Sequence, residues 1–280
     1  MGFSPGVAAR LRLQNGHRVF LKAVGPEPNP VSPSIHRRES NIVAGLPTEV
    51  PSPRFLWSYD EQGWVVLLFD DIEGKHPSQP WRIDELNRVI SSLIHLGDIL
   101  TPSPLTATEV GSVGDHLSRS WLGWQRLKDA WSENISRLDA WSAQHINALV
   151  DLEMHAATAV EGNTLLHMDV RADNVLLTPE QVWFVDWPHA RVGAAWLDIL
   201  FFAPSVTMQG GPPPQEVIAQ HPACAKADPT AITAAIAAIA GVFTYGALQP
   251  APPGLPTLRA FQAAQGVVAR RWLAEHTGWK

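Results

Sequence analysis

The stretch Leu165-Leu166-His167-Met168-Asp169-Val170-Arg171-Ala172-Asp173-Asn174-Val175-Leu176-Leu177 sets a polar cluster between two apolar runs. Twelve residues after Asn174 a further acid, Asp186, closes the apolar run Val182-Trp183-Phe184-Val185. A short loop can return Asp169 and Asn174 to one side, and the strand after it delivers Asp186. A carboxylate can orient a hydroxyl and accept its proton as a new bond forms. An amide oxygen and a second carboxylate are hard ligands of the kind Mg²⁺ prefers. Phosphoryl transfer asks for these groups plus a cation on the phosphates, because it is catalysed by positioning and charge rather than by covalent help. In this reading Asp169 is the base, Asn174 and Asp186 hold Mg²⁺, and His167 supports the loop by hydrogen bonds without titrating. Each residue alone reads as a turn or cap residue; their joint spacing carries the argument.

The cation is expected from Lys22, which lies in the apolar run Val19-Phe20-Leu21-Lys22-Ala23-Val24. An ammonium buried there needs an anion, and Glu39, 17 residues on, is the candidate. Lys22 would then bind the α- and β-phosphates of ATP. The alternative is that Lys22 snorkels to solvent and Glu39 faces water. The opening Gly2-Phe3-Ser4-Pro5-Gly6 puts Ser4 and Gly6 where small residues let backbone N–H groups approach phosphate. The chain contains no G-x-G-x-x-G, G-x-x-x-x-G-K-[ST] or H-E-x-x-H, so Rossmann, Walker and zincin sites are unsupported.

These residues must be positioned by elements that the patterning predicts. Residues 7–13 and 18–24 read as strands joined by Asn15-Gly16, the strongest short hairpin signal. A Pro-rich connector follows, then a helix over 34–46 carrying Glu39, then strands at 54–57 and 63–69. The polar segment from Asp70 to Pro77 reads as a hinge, so residues 1–75 are expected to form a nucleotide-binding lobe and 76–280 a helical lobe. Helices are predicted over 83–100, 115–132 and 140–160, a strand–loop–strand region over 164–186, and helices near 195–203, 214–221, 229–248 and 256–276. Trp121, Trp124, Leu127 and Trp131 recur at spacings of three and four in the second of these helices. That spacing predicts an inward apolar stripe ahead of a substrate-pocket lining.

Composition narrows the function classes. A net charge of −6 with no basic run makes nucleic acid an unexpected partner. The single cysteine, Cys224, excludes an intrachain disulfide framework and a Cys-rich zinc site, and fits a cytoplasmic protein. The N-terminus has neither a basic n-region nor an apolar h-region. The uncharged stretch Thr230 to Leu248 is nearly long enough to span a bilayer, but its Ala-rich composition predicts a buried core helix and no membrane association. No protein partner is evident.

At these positions the chain resembles the aminoglycoside phosphotransferase and choline kinase group, small-molecule kinases of the protein-kinase-like fold. The residues carrying the resemblance are Phe3-Ser4-Pro5-Gly6, the Lys22 strand, Arg38-Glu39, Leu67-Leu68-Phe69-Asp70 with Gly74, His167 to Asn174, Val185-Asp186-Trp187 and Trp196-Leu197-Asp198. The resemblance implies an α+β bilobal fold with a small β-rich N-lobe and a large helical C-lobe. It implies ATP and Mg²⁺ as cofactors, adenine contacts through the backbone near 68–72, including Phe69 and Asp70, and Asp198 as a brace for the catalytic loop. Two departures stand out. The family usually has a strand before the phosphate loop, where this chain begins, so the N-lobe is expected to lack its first strand. Met168 stands where the family often has Gly, which should be tolerated.

The acceptor is expected to be a hydroxyl of a small molecule. A polycationic aminoglycoside wants an acidic pocket, yet from residue 205 on three acids (Glu216, Asp228, Glu275) face five bases (Lys226, Arg259, Arg270, Arg271, Lys280), a balance of +2. Asp151, Glu153 and Glu161 could compensate, while the Trp-rich lobe suits a flatter or more apolar alcohol. Two other readings remain: a weakly active or inactive nucleotide-binding protein, and a sugar or amino-alcohol kinase.

Overall fold

The computed structural model describes residues 6–280. Strands β1 (Val7–Arg12) and β2 (Arg18–Val24) form the expected hairpin. At its tip Gly16 sits at φ +83°, which its missing Cβ permits, and Asn15 Oδ1 accepts from the His17 N–H at 2.9 Å. Helix α1 (Ser32–Ala44) begins with Pro33 in its first turn, where a missing N–H does no harm. Strands β3 (Phe55–Glu61) and β4 (Trp64–Asp70) complete an antiparallel sheet of order β1-β2-β4-β3 among the described residues. Alternation in β4 buries Val65, Leu67 and Phe69 on the face that packs towards α1. In the paired register Lys22 stands opposite Leu67 on that same inner face.

Helices dominate thereafter: α2 (Ile83–Ile99), α3 (Ala107–Val110), α4 (Val113–Ser120), α5 (Gly123–Asp129), α6 (Trp131–Asn134), α7 (Ala140–Gln144) and α8 (Ile146–Ala159). The strand–loop–strand region contains β5 (Thr164–Leu166), β6 (Val175–Leu177) and β7 (Val182–Phe184), followed by β8 (Arg191–Gly193). Helices α9 (Leu197–Met208), α10 (Pro214–Ile218), α11 (Pro222–Lys226), α12 (Pro229–Ala247) and α13 (Leu258–Thr277) close the chain. The fold is thus an α+β arrangement of a small antiparallel sheet lobe and a helical lobe. One apolar cluster runs from the inner face of the sheet through α2, β6 and β7 to α9, and a second fills the space between α4, α5, α8, α12 and α13.

Besides the division at His145 of the helix expected over 140–160 into α7 and α8, two expectations are corrected. The predicted helix over 115–132 is broken into α4, α5 and α6. Trp121 and Leu122 leave helical geometry (ψ +40° and +56°), and the Glu153 carboxylate on α8 caps the new start by accepting the Trp124 and Gln125 N–H groups at 3.0 Å each. The break seats Gly123 directly on α12, where a Cβ would lie 2.1 Å from the Gly241 carbonyl oxygen. It also separates the tryptophans. Trp124 is fully buried, with Nε1–H donating to Ala237 O at 2.8 Å, while Trp121 turns towards Phe201. The second correction is β8, whose three residues pair with β5 instead of leaving a lone hairpin in this lobe. Arg191-Val192-Gly193 is too short for any periodicity to announce it.

Helix α12 is long and apolar enough to cross a membrane by length and composition. Here it packs against α5, α8 and α13, with Ile232, Ile236 and Ile239 buried. Its alanines are what let three helices approach so closely.

The glycines give a stability test. Gly123→Ala drives a methyl into backbone and should destabilise the fold by about 3 kcal/mol or more. Gly97→Ala, in the interior of α2 with nothing within 4 Å of its added Cβ, should stabilise it by about 0.5–1 kcal/mol. Chemical denaturation of the two variants reads both signs.

Candidate active site

The loop between β5 and β6 begins where Leu166 leaves its pairing with Arg191. Its first turn is held from below by Asp198 in the first turn of α9. The Asp198 carboxylate accepts the His167 N–H and the Met168 N–H, both at 2.8 Å. Burial pushes this carboxyl up to about 6, although both N–H groups favour its charged form. His167 is fully buried and lowered to about 4 by that burial, so it is neutral at physiological pH. Its Nε2 lies 3.0 Å from Val185 O, which can only accept, so Nε2 carries the proton. Nδ1 is then free to accept the Asp169 N–H at 3.3 Å. The imidazole ties the loop to the strand that delivers Asp186, the supporting role its position predicted.

Met168 and Asp186 both have left-handed backbone, φ +65° and +71°. An aspartate tolerates this region and a methionine pays about 1 kcal/mol for it. The Asp198 bond holds Met168 there.

Asp169 is 22% exposed and faces two donors. Asn174 Nδ2 donates to both its carbonyl and its carboxylate, at 2.8 and 2.9 Å, and Arg171 donates to the other carboxylate oxygen at 2.9 Å. Burial raises the Asp169 carboxyl above its usual value, with Arg171 working against that rise. Arg171 also pairs with Asp173 through two bonds of 3.0 Å. Its part in the site was not anticipated. The signal was its place two residues after Asp169, which lets its fork reach carboxylates on either side of it in sequence.

Lys22 brings the two lobes together. Its Nζ donates to Glu39 Oε1 at 2.6 Å and to Asp186 Oδ1 at 2.8 Å. Burial alone would lower the ammonium, but the two carboxylates outweigh it and raise Lys22 above its ordinary value. In turn Lys22 outweighs desolvation at Asp186 and holds it down at about 2. The snorkelling alternative does not describe this lysine: it is 16% exposed and Glu39 2%. Glu39 also accepts the Trp187 N–H at 3.3 Å, and its neighbour Arg38 donates to Pro188 O, Ala190 O and Val110 O. Helix α1 is thereby clamped to the segment just after Asp186.

The other expected nucleotide contacts are placed as follows. Ser4 lies outside the described residues. Gly6, at φ +150°, stands where a Cβ would meet Ala23 O at 2.7 Å, so only glycine lets the chain run so close to β2. Phe69 is buried beneath Lys22, its ring centre 5.5 Å from Nζ. The Asp70 N–H is taken by Arg54 O at 3.0 Å, and its carboxylate pairs with His17 and Arg54. Gly74 lies against β6, where a Cβ would crowd Leu176 at 2.9 Å, and Lys75 exchanges two backbone bonds with Leu177.

The residues present fit a magnesium ion. Asn174 spends both amide protons on Asp169, which leaves Oδ1 as its remaining polar atom. Asp186 is 45% exposed and bonds Lys22 through Oδ1. Two hard oxygens are what this ion takes from protein when phosphates and water complete its shell.

Beside Asp169 a cavity of about 330 Å³ opens between the 167–174 loop, α9, α12 and α13. Asp169 and Arg171 line it, with Trp121, Phe201, Phe243 and Phe261 as aromatic walls. Trp121, expected in a core stripe, is one of its walls. A second hollow of about 420 Å³, between α2 and the β6–β7 turn, is a shallow surface groove with none of the candidate residues.

Solved structures share the architecture. An amicoumacin kinase, hAmiN, in complex with AMP-PNP, Ca²⁺ and Ami superposes with a TM-score of 0.59 at 10% identity, over 99% of this chain and 87% of that one. A putative fructosamine-3-kinase from Haemophilus somnus 129PT gives 0.56 at 12% identity, over 96% and 92%. A choline/ethanolamine kinase family protein from Mesorhizobium loti gives 0.54 at 17%, over 99% and 88%. No curated protein matches the chain. A model of the phosphotransferase enzyme family (APH) matches residues 8–234, and that span takes in the Lys22 strand, the Glu39 helix, the 167–174 loop, Asp186 and Asp198. The chain belongs to the phosphotransferase enzyme family.

Proposed function

We propose that this protein transfers the γ-phosphoryl group of ATP to a hydroxyl of a small molecule seated in the cavity beside Asp169. The observation that carries the reading is the Glu39–Lys22–Asp186 contact. It sets the Lys22 ammonium and the Asp186 carboxylate 2.8 Å apart across the two lobes, which supports a cation for phosphate beside an oxygen ligand for a metal ion. Residues 1–75 would form the nucleotide-binding lobe and 76–280 the lobe with the catalytic loop and acceptor cavity.

In this mechanism Asp169 accepts a hydrogen bond from the acceptor hydroxyl, aims it, and takes its proton as the bond to phosphorus forms. Arg171 and Asn174 keep the carboxylate turned to the cavity. Lys22 exchanges its Asp186 contact for the α- and β-phosphates while Glu39 keeps it in place. Mg²⁺ bound by Asn174 and Asp186 would neutralise charge on the phosphate oxygens. Gly6 and Ser4 would let the backbone close over the phosphates. Adenine would lie near 68–72, beside Phe69; the Asp70 N–H, already bonded, is not among its partners.

Asp169→Asn should lower kcat by a factor of about 10²–10⁴ while leaving Mg·ATP binding intact. Turnover across a panel of hydroxyl compounds, with calorimetric titration of nucleotide, measures both. Equal turnover in the two proteins removes the base assignment; absence of Mg²⁺-dependent nucleotide binding removes the kinase reading.

The pH profile offers a separate check. A base acts when ionised, so activity present at neutral pH is lost as pH falls through the Asp169 pKa, and burial places that fall above 3.8. Arg171→Met removes the charge that opposes the rise. The acid limb of kcat/KM should therefore move to higher pH in that variant, and an unmoved limb would separate Asp169 from the titration.

A further inference from the structure

The chemistry of the cavity walls bears on what the acceptor is, on the footing that the cavity holds the acceptor as proposed above. Among its lining residues Asp169 is the single carboxylate, and both of its oxygens are engaged, by Arg171 at 2.9 Å and by Asn174 at 2.9 Å. The other ionisable groups at the wall are Arg171, Arg191, His116 and His189. Arg191 is lowered to about 10 by burial and by Arg38, and stays cationic at neutral pH. His116, driven down to about 4 mainly by its burial, is neutral there. A polyamine entering this space would lose hydration, meet the cationic Arg191, and find one carboxylate, Asp169, whose charge Arg171 already offsets.

The rest of the wall is flat and apolar. Trp121 and Phe201 meet edge-on at 5.2 Å, and Phe243 and Phe261 at 6.5 Å. Into this wall α13 delivers two polar side chains, Gln262, whose Oε1 accepts from Arg259 at 2.6 Å, and Gln265. Gln265 is 2% exposed, and its Oε1 has no donor among the described residues. A buried acceptor atom left without a proton is expensive, and a turn of the Gln265 amide towards the cavity it lines would let a bound molecule with an O–H or uncharged N–H group satisfy it.

We infer that the acceptor is a ring-bearing alcohol without positive charge, which lies against the Trp121–Phe201 and Phe243–Phe261 walls and donates a hydrogen bond to Gln265 Oε1. Gln265 is then a specificity residue, remote from the transferred group. A wall with two arginines and one carboxylate disfavours a polycationic acceptor.

The test is binding, measured by titration calorimetry on the full chain with Mg·AMP-PNP present, so that it needs no turnover. The probes are phenyl β-D-glucoside, phenyl β-D-glucuronide, phenyl 2-amino-2-deoxy-β-D-glucoside and kanamycin. The neutral and anionic glycosides should bind at least tenfold more tightly than the amino sugar, and kanamycin should not bind. Gln265→Leu should weaken phenyl glucoside binding at least tenfold with nucleotide affinity unchanged, and Gln265→Glu should shift preference towards the amino sugar. Tighter binding of kanamycin or the amino sugar, no binding of phenyl glucoside at millimolar concentration, or an unchanged Gln265→Leu affinity for phenyl glucoside would each overturn the inference. Should Gln265→Leu fail to fold, the Gln265→Glu preference and the wild-type ranking still decide. Loss of Mg·AMP-PNP binding in the wild type would instead strike the kinase reading, and the same titration without nucleotide would still rank the probes.

Discussion

A lysine side chain held in an apolar strand must find negative charge, and everything central to this site follows from how Lys22 finds it. One carboxylate, Glu39, comes from α1 in the same lobe; the other, Asp186, comes from the end of a strand 164 residues away. The ammonium thus couples the orientation of the sheet lobe to the segment that carries Asp186. Neither contact would hold if α1 could drift. Arg38, one residue before Glu39, prevents that by donating to three carbonyls of the other lobe. A helix of 13 residues therefore does two jobs with adjacent side chains: one completes a charge pair, the next fixes the interface that the pair spans.

The 167–174 loop shows the same economy. It has almost no regular structure, and its backbone would be unsatisfied without side-chain partners. Asp198 supplies two acceptors to its first N–H groups, and a neutral His167 joins it to the Asp186 strand. Asn174 closes it by donating twice to Asp169. These bonds force Met168 into a left-handed conformation that the side chain does not favour. The strain is local, and the loop geometry it permits is what turns Asp169 towards the cavity. On the cavity's far side, helix packing sets the shape. Gly123 against Gly241 brings α5 and α12 into backbone contact, and the break before Gly123 frees Trp121 to become a wall of the cavity instead of part of the helical core.

The division between what could be read and what could not follows from the range of the interactions. Residue types and short spacings carry local chemistry. From them alone came the strands on either side of Asn15-Gly16, the helix bearing Glu39, the α+β order of sheet lobe then helical lobe, and the joint pattern of His167, Asp169, Asn174 and Asp186. A buried lysine's need for a carboxylate is likewise a sequence-level demand, and Glu39 was the near answer. Its second partner was not foreseen as such, because nothing local links residues 22 and 186; only the closing of one lobe on the other does. The helix over 115–132 failed for the same reason. Apolar spacing of three and four is continuous there, and the interruption is imposed by Glu153 and Gly241, which lie far along the chain. The short β8, the Arg171 bonds to Asp169 and Asp173, and the unpartnered oxygen of Gln265 also depend on three-dimensional neighbours. The 165–177 stretch thus determined by itself which chemistry the chain can attempt, since that depends on residue types within a few bonds' reach. Which charges face one another, and which molecule could sit beside Asp169, were decided by tertiary packing, because electrostatics and shape act through space and not along the chain.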